Sequence, residues 1–179
     1  MPELIPILSK NEIDQKVAAI AAKISADYAE SDLVVIGVLK GAFVFLSDLI
    51  RKLTIPVKIE FVRVSSYGNE STSSEKIRLT HKLETEIKNK DVLIIEDIID
   101  TGLTISFLVD YFYSFNPKSV QICALIDKQE RKKKKVEIRY VCHVVKKGFL
   151  VGYGLDFAED YRYLPEIYHL NFLTDEVME

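Results

Sequence analysis

The sequence is poor in the features that mark several large classes of protein. Its two cysteines, Cys123 and Cys142, lie in apolar runs and lack the C-x-x-C spacing of metal or redox sites, so we expect buried free thiols. No apolar stretch approaches the roughly 20 residues that a helix needs to cross a bilayer. The N-terminus does not show the basic segment followed by an apolar one that a secretory signal has. These absences predict a cytoplasmic protein that works without a membrane.

The chain also lacks an excess of charge of one sign. Its 24 Lys and Arg residues and 27 Asp and Glu residues give a formal net charge of −3. Most nucleic-acid-binding proteins instead carry a broad basic surface that neutralises phosphates. A nucleic-acid partner is therefore not expected, and the short basic run at residues 131–135 is interpreted as a solvated loop.

What the chain does contain is a regular alternation of apolar patterns. Ser9 and Glu12 have capping-box spacing and precede apolar residues at steps of three or four, which predicts a helix over residues 10–29. Short apolar runs predict buried strands at residues 33–38, 57–64, 91–97 and 119–126, and helical patterns lie at residues 43–53 and 105–115. Such alternation is typical of βαβ units, so we expect an α/β fold with a parallel, twisted sheet flanked by helices.

The chain is predicted to form one domain with a small subdomain and one long loop. Its length fits a single domain over residues 1–179, since domains average roughly 150 residues. The tail, about residues 136–179, is aromatic and strand-like, and we expect it to form an appended subdomain. Residues 65–76 are polar, serine-rich and without periodicity, which predicts a long loop. Such loops are often functional lids, and a disordered insertion is the alternative.

Three stretches with charged residues follow predicted strands, at residues 39–41, 96–104 and 127–128. In an open parallel sheet the ligand site lies beyond the carboxyl ends of the strands. We therefore expect these three stretches to meet in one crevice.

The stretch from Glu96 to Thr104 combines carboxylates with the start of a helix. Glu96, Asp97 and Asp100 would each cost several kcal/mol at a buried strand end unless a cation or hydrogen-bond donors satisfied them. Mg²⁺ or the hydroxyl groups of a sugar would do so. Residues 101–104 then begin a helix whose free N–H groups and hydroxyls form an anion cradle suited to a phosphate.

The same string, Glu96-Asp-Ile-Ile-Asp-Thr-Gly-Leu-Thr104, resembles the phosphoribosyl-pyrophosphate motif of the purine phosphoribosyltransferases, in particular the bacterial hypoxanthine-guanine type. Three further segments resemble that family in the right order: Val38-Leu-Lys-Gly41, the loop beginning Ser65-Ser-Tyr-Gly68, and Val151-Gly-Tyr-Gly-Leu-Asp-Phe157 leading to Tyr161-Arg162. The resemblance covers nearly the whole chain. It implies a type I phosphoribosyltransferase fold in which the tail and the N-terminal segment form a hood.

The resemblance also implies an activity and its partners. The expected reaction is the Mg²⁺-dependent transfer of a 5-phosphoribosyl group from phosphoribosyl pyrophosphate to N9 of a 6-oxopurine, hypoxanthine or guanine, giving IMP or GMP and pyrophosphate. The family implies a homodimer or a homotetramer. The preference among hypoxanthine, guanine and xanthine stays open.

Each site residue receives a role from the resemblance. Glu96 and Asp97 hold the ribose hydroxyls, directly or through Mg²⁺, and Asp100 is the proton partner at purine N7. The other implied roles are phosphate binding by Thr101, Gly102, Leu103 and Thr104, pyrophosphate binding by Lys40, Gly41 and Arg162, purine binding by Lys128, Phe149 and Leu150, a second Mg²⁺ at Asp156, and loop closure at Ser66 and Tyr67. In this family the peptide bond before the residue that matches Lys40 is often cis.

The sequence departs from the family pattern in two places, and two other functions stay open. Residues 141–147 replace a turn that commonly contains proline and acidic residues, and residues 69–74 are serine-rich where relatives have glycine. One alternative is an RNA-binding regulator of the same fold that uses the basic run at residues 131–135. The other is a Mg²⁺-dependent hydrolase that uses the acidic cluster on a phosphate ester.

Overall fold

The computed structural model describes residues 2–67, 76–81 and 83–172 of the chain. Helices and strands alternate along these residues. In chain order they are β1 (Glu3–Leu8), α1 (Lys10–Asp27), β2 (Leu33–Leu39), α2 (Phe43–Ile50), β3 (Lys58–Tyr67), β4 (Lys76–His81), β5 (Asp91–Ile99), α3 (Leu103–Tyr113), β6 (Ser119–Lys128), β7 (Tyr140–Val145), β8 (Leu150–Val151) and β9 (Ile167–Asn171).

The main sheet has the strand order β4-β3-β2-β5-β6-β7. Neighbouring strands from β3 to β7 are parallel, and β4 pairs antiparallel with β3 at one edge. Buried residues of α1 and α2 pack with one face of the sheet, and buried residues of α3 pack with the other. The predicted α/β fold with a parallel sheet between helices is confirmed.

The first helix shows how closely the local sequence controls these elements. The predicted capping box is present, because the Glu12 N–H donates to Ser9 Oγ at 3.3 Å and the Ser9 N–H donates to the Glu12 carboxylate at 2.9 Å. The apolar residues spaced at three or four, Ile13, Val17 and Ile24 among them, are buried on the inner face of α1. No helix in the described ranges is long and apolar enough to span a membrane.

Both ends of the predicted loop at residues 65–76 belong to strands. β3 continues to Tyr67 because a further strand, β4, pairs with it in the register Ser65 to Arg78 and Ser66 to Ile77. The prediction of a lid concerns mainly residues 68–75, which lie outside the described residues.

A second, three-stranded antiparallel sheet has the order β1-β9-β8 and joins the N-terminal segment to the tail. The tail subdomain is smaller than predicted, because β7 pairs parallel with β6 in the main sheet. Its Tyr140 and Cys142 are buried in the core beside α1. The connection from β6 to β7, residues 129–139, contains no helix, so the usual sequence signal of a parallel crossover is missing.

Candidate active site

The three predicted stretches come together at one edge of the main sheet. Lys40 and Gly41 follow β2, Asp100 follows β5, and Lys128 ends β6. Because β5 lies between β2 and β6 and is parallel to both, the carboxyl ends of the three strands are adjacent. This is the position at which open parallel sheets bind ligands.

Two carboxylates, Glu96 and Asp97, lie within β5, which continues to Ile99 rather than ending at Asp97. Glu96 is buried, and its burial together with the neighbouring Asp97 charge raises the pKa of its carboxyl group. Burial also raises the pKa of Asp97, while the nearby Arg162 charge acts in the opposite direction. The pair is thus held in surroundings that disfavour two negative charges.

Such a pair is suited to a cation that is shared with a ligand. A divalent ion would stabilise both ionised carboxylates. Within the described residues no group of three or more His, Cys, Asp or Glu side chains forms a metal cage. Mg²⁺ commonly takes one or two carboxylates and completes its shell with phosphate oxygens and water, so the two adjacent carboxylates fit this ion.

Gly41 lies directly against this pair. A Cβ atom at Gly41 would overlap the carboxylate of Asp97, and a Cβ atom at Gly154 would overlap the carbonyl oxygen of Gly41. The backbone after β2 therefore passes between the acidic pair and the segment that follows β8. The Leu39-Lys40 peptide bond is cis, as the family resemblance leads one to expect.

The stretch after Asp100 forms a turn into α3. Gly102 has a φ of 79°, in the left-handed region, and a Cβ atom there would overlap the carbonyl oxygen of Lys134. The N–H of Leu103 donates to Thr101 Oγ1 at 3.3 Å. In the part of the chain that the structure describes, no side chain caps α3 at Gly102, so the first turn of this helix can bind an anion.

Asp100 is the most closely surrounded of the predicted site residues. Its Oδ2 accepts a hydrogen bond from Arg131 Nε at 2.9 Å and one from Arg131 Nη2, and it lies 3.7 Å from Lys128 Nζ. Its Oδ1 is buried and has no hydrogen-bond partner among the described residues. One oxygen of Asp100 is thus paired with cations, and the other has no partner among the described residues.

The residues predicted to bind a purine are linked to this carboxylate. Lys128 is buried and lies 3.3 Å from the carboxylate of Glu130, which also accepts a hydrogen bond from the N–H of Gly148 at 3.1 Å. The next residue, Phe149, is 41% exposed and contacts the exposed rings of Phe157 and Phe172 edge to face. Leu150 is buried in β8. The hydrogen bond from Gly148 to Glu130 thus links the segment that carries this exposed aromatic face to Lys128.

The predicted pyrophosphate residues form a charge network. Arg162 Nη1 donates to the Gly154 carbonyl oxygen at 2.7 Å, and Nη2 lies 2.8 Å from Asp156 Oδ1. Lys40 Nζ lies 2.8 Å from Glu159 Oε2. Asp156 is already engaged, since its Oδ2 accepts the Glu159 N–H at 2.9 Å. To bind a metal ion, Asp156 must first release Arg162.

The backbone of Ser66 and Tyr67 lies in β3, and their side chains are outside the described residues. The structure therefore shows the strand that precedes the predicted loop, and the loop-closure prediction itself lies outside the described residues.

Sequence reasoning missed contacts made by the basic run. Residues 131–135 form an irregular, mostly exposed segment, but the prediction of a solvated loop leaves out two ion pairs, from Arg131 to Asp100 and from Lys132 to Asp127. The N–H groups of Lys133 and Lys134 both donate to the Thr101 carbonyl oxygen at 3.0 Å. The available signal was position, because the run begins three residues after Lys128 at a strand end that the site uses.

Comparisons with known proteins agree with this geometry. The family model described as phosphoribosyl transferase domain matches residues 7–158. A hypoxanthine-guanine phosphoribosyltransferase of Dictyostelium discoideum is 45% identical over 163 residues, which cover 89% of this chain and 91% of the relative. That of Bacillus subtilis is 42% identical over 161 residues, covering 90% of this chain and 89% of the relative. A crystal structure of a hypoxanthine-guanine phosphoribosyltransferase from Bacillus anthracis superposes with a TM-score of 0.88 at 40% identity and covers 95% of this chain and 99% of the other.

Proposed function

Because the chain belongs to the phosphoribosyltransferase family, we propose that it transfers the 5-phosphoribosyl group of phosphoribosyl pyrophosphate to N9 of hypoxanthine or guanine. The products are IMP or GMP and pyrophosphate, and the enzyme acts in purine salvage. The observation that carries this proposal is the meeting of Lys40, Asp100 and Lys128 at adjacent strand ends beside the uncapped start of α3.

The donor is held by the residues of β5 and the turn after it. Thr101, Gly102, Leu103 and Thr104 bind the 5′-phosphate through N–H groups and hydroxyls at the start of α3. Glu96 and Asp97 bind the ribose hydroxyls, directly or through Mg²⁺. The raised pKa values of both carboxyl groups support a ligand that brings either hydrogen-bond donors or positive charge.

The pyrophosphate group is held by Lys40, Gly41 and Arg162. The planar guanidinium of Arg162 suits phosphate oxygens, and Lys40 adds a second positive charge. Asp156 would help to hold a second Mg²⁺, which would supply positive charge beside the pyrophosphate group, once Arg162 has turned to the ligand. The 2.8 Å contact between Arg162 and Asp156 supports this exchange, since it places the two groups side by side.

The purine lies between the carboxyl end of β6 and the exposed aromatic face. Lys128 donates to the 6-oxo group, which selects 6-oxopurines over adenine, because the 6-amino group of adenine is itself a donor. Phe149 stacks on the ring, and the main chain at Leu150 contacts its edge. Asp100 accepts the proton of N7, and its buried, unpartnered Oδ1 supports that role.

The chemistry breaks the bond from ribose C1 to pyrophosphate oxygen and forms the bond from C1 to purine N9. Charge develops as in a glycosidase transition state, with an oxocarbenium-like ribose and a departing polyanion. Lys40 and Arg162 stabilise the departing charge, and bound Mg²⁺ would supply further positive charge there. Asp100 takes the N7 proton as N9 attacks. We expect the loop closure predicted at Ser66 and Tyr67, the last two residues of β3, to exclude water from the site.

The proposal extends to the organisation of the protein. Residues 1–179 form one domain, and the small sheet β1-β9-β8 serves as the hood over the purine. A homodimer or homotetramer is supported by the exposed apolar side chains of Phe43 and Tyr163 on one face. A cytoplasmic location is supported by the two buried free thiols. RNA binding gains no support, because Arg131 and Lys132 already contact Asp100 and Asp127.

The proposed activity is tested by incubating the protein with phosphoribosyl pyrophosphate and Mg²⁺ and one of four purines, namely hypoxanthine, guanine, xanthine and adenine. The nucleotide formed is identified by chromatography. We expect IMP from hypoxanthine, GMP from guanine and no AMP from adenine. Formation of AMP at a comparable rate would contradict the role of Lys128, and absence of any nucleotide would contradict the activity.

A further inference from the structure

One acidic side chain in the pyrophosphate network has no role in the proposed reaction. Glu159 Oε2 lies 2.8 Å from Lys40 Nζ and 3.6 Å from Arg162 Nη2. A single carboxylate oxygen thus contacts both cations that the proposed function assigns to pyrophosphate. An anionic ligand that binds both cations must therefore compete with this carboxylate.

The turn that carries Glu159 is sharply defined. Ala158, Glu159 and Tyr161 all have φ values in the left-handed region, at 51°, 70° and 74°. The turn is closed by reciprocal backbone hydrogen bonds between Phe157 and Asp160, at 3.2 and 3.0 Å. Non-glycine residues rarely adopt this conformation unless the surrounding structure holds them in it. Glu159 is therefore directed at the end of β2 by its backbone.

The carboxylate is also easily displaced. The Glu159 side chain is 64% exposed and the Lys40 side chain 45% exposed, so water can solvate either one when the pair separates. Exposed ion pairs typically change an equilibrium by about 1.5- to 5-fold each. Two such contacts together are strong enough to lower the affinity for a ligand measurably. They are also weak enough for a polyanion to displace the carboxylate.

We propose that Glu159 is a built-in competitor for the pyrophosphate group. It determines specificity by weakening the binding of ligands that carry pyrophosphate relative to those that do not. The donor and free pyrophosphate must displace the Glu159 carboxylate from Lys40 and Arg162, whereas a nucleotide product leaves it in place. The consequence is faster release of pyrophosphate after transfer. This inference rests on the proposed function, because it takes Lys40 and Arg162 as the pyrophosphate subsite.

The test is a titration of the full-length protein with inorganic pyrophosphate in a calorimeter, without divalent ions. Glu159→Gln keeps the shape of the side chain and removes its charge, and we expect it to bind pyrophosphate about 3- to 10-fold more tightly than the unmodified protein. The matched control is Asp160→Asn, which makes the same charge change at the next residue of the same exposed turn. Within the described residues the Asp160 carboxylate makes no ion pair, so we expect less than about a twofold change. Binding of IMP should be the same in all three proteins.

The affinities of these variants and of Lys40→Met decide whether the inference holds. Equal affinities of Glu159→Gln and Asp160→Asn would reduce the effect to general charge and overturn the inference, and weaker binding by Glu159→Gln would overturn it as well. Lys40→Met should lose pyrophosphate binding, which ties the signal to this subsite. If the unmodified protein binds pyrophosphate no better than Lys40→Met, the proposed subsite itself is contradicted. A Glu159→Gln variant that is merely misfolded is recognised by its loss of IMP binding.

Discussion

Replacing Gly41 by alanine should show that the acidic pair and the segment after β2 form one tightly packed unit. Gly41 does not have a left-handed φ, so the cost of a side chain there is steric. The added Cβ would overlap the carboxylate of Asp97, which is held in place because its Oδ1 accepts the N–H of Ile98 at 2.9 Å. Overpacking at such a site costs about 1–3 kcal/mol in the free energy of unfolding.

This steric overlap also predicts how Gly41→Ala and Asp97→Ala combine. In an Asp97→Ala background the overlapping group is gone, so Gly41→Ala should cost almost nothing, and the two changes should be non-additive by about 1–3 kcal/mol. Urea denaturation of the four proteins measures this coupling.

The matched control is Gly37→Ala, whose Cβ would meet the side-chain ends of Leu46 and Phe61 in the core. It should lower stability and leave the KM for phosphoribosyl pyrophosphate unchanged, whereas Gly41→Ala should raise that KM about tenfold. Additive effects of Gly41→Ala and Asp97→Ala, or equal KM values for phosphoribosyl pyrophosphate in Gly41→Ala and Gly37→Ala, would contradict the proposed packing of Gly41 against Asp97 at the donor site.

Three other predictions concern single groups. The pKa of Glu96 is raised in the folded protein, so its carboxyl group favours folding below its unfolded pKa near 4.5, where it is protonated, and opposes folding as the pH rises. Glu96→Gln should therefore be more stable than the unmodified protein in urea denaturation at pH 7.5, and the difference should shrink toward pH 4. A difference that does not change with pH would contradict this. Asp100→Asn should lower kcat by about 10²- to 10⁴-fold with little change in donor KM, and an unchanged kcat would exclude a proton role for Asp100. Burial raises the pKa of Cys142 to about 12, and Cys123 is fully buried. Neither thiol should therefore react with a thiol-labelling reagent at pH 8 until the protein unfolds. Fast labelling of the native protein would refute this.

The sequence was sufficient for those elements whose pattern depends on local burial. α1, β2 and β5 each bury a face or a whole run of apolar residues, so their periodicity is visible in the chain itself. β1 and β9 are different, because they pair across nearly the whole chain, Glu3 with Asn171. Strands of this kind are specified by their partners, and a single sequence does not show the pairing.

The same division applies to the site. The resemblance and the strand-end rule brought Lys40, Glu96 and Lys128 together, because both depend on the ends of regular elements. The contacts of Arg131 and Glu159 depend on the paths of two irregular connections. The first path is fixed by backbone hydrogen bonds from Lys133 and Lys134 to the distant Thr101, and the second by local turns within residues 152–164. No periodic pattern in the sequence records either path.

The proposed transfer reaction is tested most directly by whether pyrophosphate release depends on the purine. Phosphoribosyl pyrophosphate and Mg²⁺ are mixed with the protein, with and without hypoxanthine, and pyrophosphate, phosphate and IMP are measured in the same samples. We expect one pyrophosphate for each IMP and negligible release of either anion without hypoxanthine. Release of pyrophosphate or phosphate at the same rate without a purine would contradict it and would favour a hydrolase that uses the acidic cluster of β5.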